Sequence, residues 1–376
     1  MRKISDNKFQ LGIFAFNVDG GITKTFSPRR WDPTWDNIRE LAVSSDRAGF
    51  DFMLPVASWI GHSGTAPTEN KMLESLTLTA ALLAVTKQIT VIATVHTPFL
   101  HPVFAAKQIV TCDSIGSGRV ALNIVSGAVA EEFSLFGQDM PTHDNRYDLS
   151  REWIEIIDKL WCQDQPFHFN GEYFKICNGL SFPKPNGGTR PLVISAGSSP
   201  VGRKFAVEHA DCLFMIIVDL ENLESEIRDI RALKIKEYGP KIYASGHVIC
   251  RQTTAETDQY YHHLVHECGD WEAADRVMMI HAANGAIPPE KFAQLRERFV
   301  TGVGTFLVKG DPDQVAETFA AMSRAGLDGM AFALPNYLDD LPIIRDEVLP
   351  RLERLGLRNK SDSEVGASKS LSPFGR

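Results

Sequence analysis

Hydrophobic and polar positions along this chain follow a repeating beat. Ile89–Ala93 is a short, β-branched apolar run, the pattern of a strand covered on both faces. Thr94, His96 and Thr97 place polar side chains where that strand should end, and Pro98 and Pro102 then break the backbone. Apolar residues at Val103, Phe104, Ala106, Ile109 and Val110 return at helical spacing, and Gly116 and Gly118 stop the helix. Val120–Val125 is a second buried strand; it carries Asn123 and runs out into Ser126 and Gly127. The unit is strand, helix, strand, with polar groups gathered at the carboxyl end of each strand.

The same beat runs from end to end. Phe9–Phe16 reads as the first strand, followed by a loop rich in Thr, Ser and Arg from Asp19 to Pro33. A helix over Pro33–Ala48 closes on Gly49, and Asp51–Leu54 is the second strand. A long loop then leads to a helix over Leu73–Val85. After the fourth strand come a second long loop and an amphipathic helix over Tyr147–Trp161. Residues 161–191, aromatic and punctuated by proline, predict a small β-hairpin arm. Leu192–Ser195, Cys212–Val218 and Ile242–Cys250 are strands five to seven, with a helix over Leu220–Tyr238 before the last of them. From 253 to 304 the sequence is helical, polar and rich in His and Met, which fits no single βα unit. The helix of GDPDQVAETFAAMSRAG, an eighth strand at Gly329–Leu334 and a last helix over Asp339–Leu355 complete the series.

Eight strands alternating with helices predict an α/β fold, a (β/α)8 TIM barrel with insertions, the largest (about 253–304) in the seventh βα loop. A doubly wound open sheet is the alternative; it would call for an early GxGxxG after a strand, and none is present. The expected organisation is a single barrel domain over residues 1–358. Residues 359–376, rich in Ser, Gly and Lys, are expected to be a disordered tail. Ligands of such barrels bind at the carboxyl ends of the strands.

Composition narrows the classes. With 44% hydrophobic and 23% charged residues among 376, the chain can bury a sizeable core. The net charge of −8, with Lys and Arg spread along the chain, argues against a nucleic-acid partner. No apolar run reaches the roughly 18 residues that span a bilayer, so no membrane partner is expected. The polar start leads straight into a strand, so no signal peptide is expected either. Six cysteines without CxxC spacing read as small buried hydrophobes, and a reducing cytoplasm is the simplest setting. The histidines, among them His62, His96, His101, His143 and His247, form no HExxH or similar spacing, so no metal is expected.

The most telling local motif is AGSSPVGRK. A strand ends in Ala196 and Gly197, Ser198 and Ser199 follow, and Pro200 stands near the first helical position. Hydroxyls and unpaired backbone N–H groups at a helix start make an anion site, although a serine N-cap alone would look the same. Arg203, one turn in, adds a cation. Arg146 and Tyr147 offer a cation and a phenol at the start of another helix. His247, on the seventh strand, either packs in the core or faces a ligand. The residues alone reach a barrel that holds a phosphate-bearing ligand under long loops, with the reaction open.

Several motifs, in order over residues 9 to 355, resemble the bacterial luciferase-like flavin monooxygenases. They are NIVSG at 123–127, HDNRYD at 143–148, AGSSPVGRKFAVEHAD and the closing barrel strand. Within that family the chain is most similar to two-component enzymes that use reduced FMN: the pyrimidine, dimethylsulfone and alkanesulfonate monooxygenase groups. NKMLESLTLTAALLAVT is similar to a phrase of the pyrimidine group. The resemblance implies FMNH2 and O2, a transient NAD(P)H-dependent flavin reductase, a small-molecule substrate (sulfone, sulfonate or heterocycle) and a homodimer or homotetramer.

It also implies roles for particular residues. Asn123 would stand beside the isoalloxazine with Glu132 near it, and Ala57, Ser58, Thr94 and His96 would line the ring's cavity. Arg146, Tyr147, Gly197, Ser198 and Ser199 would hold the phosphate and ribityl chain. Asn123, Thr94 and His247 are the expected catalytic residues, His247 as acid or base because it matches a strand-seven histidine of the alkanesulfonate enzymes. Phe16, Trp59, Arg298 and Tyr337 are the expected substrate contacts. The chain departs from the alkanesulfonate pattern at Ser245, where those enzymes carry arginine, and at Pro335 and Tyr337, where they carry tyrosine and histidine. The competing implications are a deazaflavin (F420)-dependent hydride transfer, a flavin-binding barrel without oxygenase activity, and a sugar-phosphate barrel without flavin.

Overall fold

The computed structural model describes residues 2–60, 71–197, 199–233, 239–283 and 292–359. The first half alternates as the periodicity requires: β1 (Gln10–Phe14), α1 (Trp35–Arg47), β2 (Phe52–Leu54), α2 (Ser75–Val85), β3 (Thr90–His96), α3 (Pro102–Ile115) and β4 (Val120–Val125). The middle adds α4 (Ala130–Leu135), α5 (His143–Cys162), a hairpin of β5 (Phe167–Asn170) and β6 (Lys175–Gly179), then β7 (Leu192–Ser195), α6 (Pro200–His209), β8 (Cys212–Ile216), α7 (Leu223–Ala232) and β9 (Lys241–Cys250). The last part holds α8 (Thr254–His262), α9 (Trp271–Ala283), α10 (Phe292–Gly302), β10 (Phe306–Gly310), α11 (Pro312–Arg324), β11 (Gly329–Ala333), α12 (Tyr337–Ile343) and α13 (Leu349–Arg354).

Parallel pairing runs β1–β2–β3–β4–β7–β8–β9–β11 and back to β1, a closed ring of eight strands. Its interior is packed by inward side chains of alternating strand positions: Phe52, Leu54, Ile92, Ala121, Leu192, Ile194, Cys212, Phe214, Tyr243 and Ala331. Phe52 fits only because β1 offers Gly12 opposite it; a Cβ there would lie 2.1 Å from the Phe52 ring. A larger apolar layer, with Leu11, Ile109, Trp153, Ile157 and Phe319 among its members, joins the strands' outer faces to the helices. At the amino-terminal end Asp51 ties the chain's two ends together. Its carboxylate accepts the Leu11 N–H at 2.7 Å and the Arg358 guanidinium at 2.5 Å.

Several elements differ from the sequence reading. The first strand stops at Phe14 because Ala15 turns to φ 57°. α5 begins four residues early, since Thr142 caps it by accepting the Asn145 N–H. The last helix is interrupted by a π-helical turn at Ile344–Val348. β10 was not expected at all. β9 is ten residues long, and beyond the ring its end pairs with β10, Leu307 against His247 and Gly310 against Cys250. Asn359, read as tail, accepts no such description: its N–H donates to Asn7 at 2.8 Å. The rest of the expected tail, 360–376, lies outside the described residues, as does the end of the predicted helix over Leu220–Tyr238.

Among the described residues no helix is long and apolar enough to cross a membrane, and no group of three or more His, Cys, Asp or Glu is arranged to hold a metal ion. All six cysteines are free thiols.

Candidate active site

Thr94 and Asn123 stand side by side in the barrel wall, paired in register on β3 and β4. The Thr94 hydroxyl donates to the Pro55 carbonyl at 2.7 Å, so its oxygen is left to accept, and Asn123 Nδ2 donates to it at 3.2 Å. That contact fixes which way the amide points. Asn123 Oδ1 is consequently turned away, buried and without a hydrogen-bond partner. A buried acceptor left open costs about 1–3 kcal/mol, so it is a position that asks for a donor. Ser75 locks the pair from behind by accepting the Thr94 N–H at 2.8 Å.

Above this pair, His96 at the end of β3 meets Glu132 on α4, with Nε2 3.6 Å from Oε2. Glu132 is nearly inaccessible, and its other oxygen accepts from the Trp59 N–H at 2.7 Å and the Ser58 hydroxyl at 2.5 Å. One carboxylate thereby joins the ends of β2 and β3 to the loop after β4. Burial pushes the His96 imidazole down from its ordinary value, and Glu132 opposes that only in part. His96 Nδ1 is also buried without a partner.

The third group forms at the start of α6. Ser199 caps the helix, its hydroxyl accepting the Gly202 N–H at 3.1 Å, and Pro200 occupies the first turn. The Tyr147 phenol hydrogen-bonds Ser199, and burial holds it above the ordinary tyrosine value. Gly197 and Gly202 let the backbone close on itself here. A Cβ on Gly197 would lie 2.5 Å from Gly202, and one on Gly202 would lie 2.5 Å from the Tyr147 oxygen. Arg146, buried and lowered by desolvation, donates to the Gly127 carbonyl while its Nε has no partner. A helix N-terminus, a phenol and a guanidinium facing one space make an anion cradle.

The second and third groups border one cavity of about 410 Å³. Arg146, Tyr147, Ala196 and Ser199 line one end, Ala57, Ser58, His96 and Glu132 the other, and Val277, Ile280 and Val303 of the inserted segment close over it. Asn123 lies one residue deeper in β4 than the lining residues Ile124 and Val125. Two further cavities adjoin at Ala57 and Ser58. One, of about 480 Å³, runs past Thr94, His96, Trp59 and Phe99; the other, of about 300 Å³, lies over the barrel mouth.

A family model for luciferase-like monooxygenases matches residues 9–329. The chain belongs to the luciferase-like monooxygenase family. An FMNH2-dependent dimethylsulfone monooxygenase of Pseudomonas fluorescens is 30% identical over 367 residues, 95% of this chain and 98% of that protein. A pyrimidine monooxygenase of Acinetobacter baylyi is 31% identical over 209 residues, 55% of this chain and 56% of that protein. Among solved structures, DmoA from Hyphomicrobium sulfonivorans superposes with a TM-score of 0.81 at 19% identity, covering 94% of this chain and 90% of that one. Long-chain alkane monooxygenase gives 0.79 at 22% identity, covering 95% and 93%. At these identities the superpositions speak for the fold.

Within this luciferase-like barrel the structure sorts the expected residues. Ala57, Ser58, His96, Glu132, Arg146, Tyr147 and Ser199 share the first cavity, and Thr94 opens on its neighbour. Ser198 lies outside the described residues. Arg203 turns away from the cradle toward Glu226, at 3.8 Å. His247 is not a titrating acid or base. It is fully buried on β9, hydrogen-bonded through Nδ1 to Thr305 at 3.0 Å, and burial together with Arg298 pushes it down to about 3. Its imidazole is therefore neutral at working pH.

The substrate contacts need more correction. Arg298 gives hydrogen bonds to four backbone carbonyls, those of Thr305, Val218, Ile217 and Gly304, so its charge clamps β8 to the start of β10 and is not offered to a substrate. Phe16 and Tyr337 are core residues: the Tyr337 phenol donates to the Phe14 carbonyl, and its ring packs edge-on against Trp31 at 4.9 Å. Trp59 lines the cavity of about 480 Å³, at its exposed rim, whereas Phe16, Arg298 and Tyr337 line none of the three cavities described above. The sequence reading placed Thr97 and Ser126 at strand ends but missed Ser75 and Ser150, which joins the two in a hydroxyl chain behind the site with links of 2.7 and 2.8 Å. The polar steps at the end of a buried strand in TVHT were the available signal.

Proposed function

We propose that this chain is an FMNH2-dependent monooxygenase that takes reduced flavin from a partner NAD(P)H-dependent reductase and oxidises a small organic substrate with O2. The observation that carries the reading is the cavity of about 410 Å³ with an anion cradle at one end and the His96–Glu132 wall at the strand ends at the other. The residues present fit the flavin: Gly197 and Gly202 let the start of α6 close against Tyr147 to form the cradle, Arg146 keeps an unpartnered Nε, and Asn123 Oδ1 is an open buried acceptor.

In this reading the Ser199 cap, the Tyr147 phenol and the Arg146 guanidinium hold the phosphate. Reduced FMN, when bound, supplies the electrons with which O2 is activated. Asn123 accepts a ring N–H, and Thr94 keeps the amide in the orientation that allows it. His96 and Glu132 fix the wall of the ring's cavity through Ser58 and Trp59. The apolar residues of the inserted segment would keep water out, so that the oxygen activated with the flavin's electrons is spent on oxidising the organic substrate. The candidate substrates are sulfones, sulfonates and heterocycles, of which the relatives' names print a sulfone and a pyrimidine, and the protein works as a homodimer or homotetramer.

The test is reductase-coupled oxygen consumption with panels of sulfones, sulfonates and pyrimidines. Stoichiometric product with O2 and FMNH2 is expected. Turnover that needs a deazaflavin and ignores O2 would replace the monooxygenase by a hydride-transfer enzyme.

A further inference from the structure

The cavity of about 300 Å³ over the barrel mouth contains a cation that none of the roles above uses. Its walls are largely apolar, including Phe14, Ile22, Met72 and Ile216, with hydroxyls from Ser58, Ser245 and Thr305 and one charged side chain, Lys24. Lys24 is half-buried, and among the described residues its ammonium makes no hydrogen bond or ion pair. Two carboxylates, Asp270 and Asp19, attract it without a direct hydrogen bond. Asp19 pairs with Arg30 at 3.1 Å, and Asp270 accepts the Ala273 N–H in the first turn of α9 at 3.0 Å.

The backbone around the lysine is fixed on both sides. Its N–H donates to Val300 of α10 at 2.7 Å, its carbonyl accepts the Asp270 N–H at 2.9 Å, and the Thr23 hydroxyl donates to Thr301 at 3.0 Å. The loop after β1 is thereby strapped to the inserted helices, which fixes the backbone that carries the lysine. Burial pushes the Lys24 ammonium down from its ordinary value and Asp270 and Asp19 oppose that only in part, so an anion arriving in the cavity would favour the charged form against the apolar walls.

We propose that Lys24 orients the substrate, and that of the candidate classes the anionic one is taken: a small organic anion, a sulfonate or the related sulfinate or carboxylate, whose apolar part lies against Phe14, Ile22 and Met72. As a statement about the substrate this rests on the flavin reading; as a statement about an anion site it does not. The cavity shares Ala57, Ser58, Ile216 and Val303 with the larger one, so an anion held by Lys24 would extend toward the space assigned to the flavin. A neutral sulfone leaves the ammonium unmatched.

Calorimetric titration of the full-length chain with butanoate, ethanesulfinate and diethyl sulfone, without and with FMN, tests this. The two anions are expected to bind at least ten-fold more tightly than the sulfone. Lys24→Met should bring them to the sulfone's level without changing the sulfone, and Lys24→Arg should keep most of the preference. Equal affinities in the unaltered chain, or a Lys24→Met loss that is the same for anions and sulfone, overturns the assignment. FMN titrated into the same preparation separates the two claims. Anion preference without FMN affinity removes the flavin reading, and FMN affinity without anion preference removes Lys24 from substrate recognition.

Discussion

A side-chain amide both donates and accepts, and at Asn123 the neighbours decide which half is left over. Thr94 spends its proton on Pro55 and takes the amide's N–H, so the oxygen remains. Asn123→Ala should cut coupled oxygenation by about two to three orders of magnitude, the usual effect of losing one aimed polar group, with little change in thermal stability. Thr94→Val should reproduce much of that loss by releasing the amide, and the double variant should be far from additive. Unchanged coupled turnover in Asn123→Ala would remove the residue from the mechanism. Arg298 makes the opposite case. Arg298→Met orphans four carbonyls and should cost about 2–3 kcal/mol of stability in denaturant titrations, leaving the relative affinities for anionic and neutral ligands where they were. A selective loss for anions would restore it to the substrate site.

At the level of elements, the join between β9 and β10 carries a pH signature. His247 binds no proton in the folded chain until about pH 3, whereas its ordinary value is 6.5. Between those values the unfolded chain binds the extra proton, so stability falls as pH drops through that window. His96, also lowered, acts in the same direction. Denaturation midpoints measured from pH 7 to pH 4 should show this slope, and His247→Gln should flatten it; an unchanged slope in that variant would show His247 to be accessible when folded. Gly302, at the end of α10, permits this packing, since a Cβ there would lie 2.1 Å from the imidazole.

The same join explains why part of the molecule was hidden in the sequence. FLVKG follows a run of polar helices, and its partner is a strand that outgrows the barrel; pairing of that kind is set by distant chain, not by local pattern. Arg298 in a helix and Tyr337 after a strand look like exposed functional groups until the tertiary structure buries them. The AGSSPVG cradle was legible because Ser, Pro and Gly there act on their own backbone.

On the scale of the whole molecule, the barrel beat was readable because each βα unit buries its strand between the same two layers. What the pattern did not carry was where three cavities meet, at Ala57 and Ser58, since that depends on loops folding over one another. In the flavin reading the cavity of about 410 Å³ holds the cofactor, anchored at Gly202. The most direct measurement is an anaerobic fluorescence titration of FMN, oxidised and reduced, into the chain and its Gly202→Ala variant. The account predicts binding of FMN by the unaltered chain and at least a ten-fold loss in the variant, whose added methyl meets the Tyr147 oxygen. No affinity for FMN in either redox state, or binding that ignores Gly202→Ala, would contradict it.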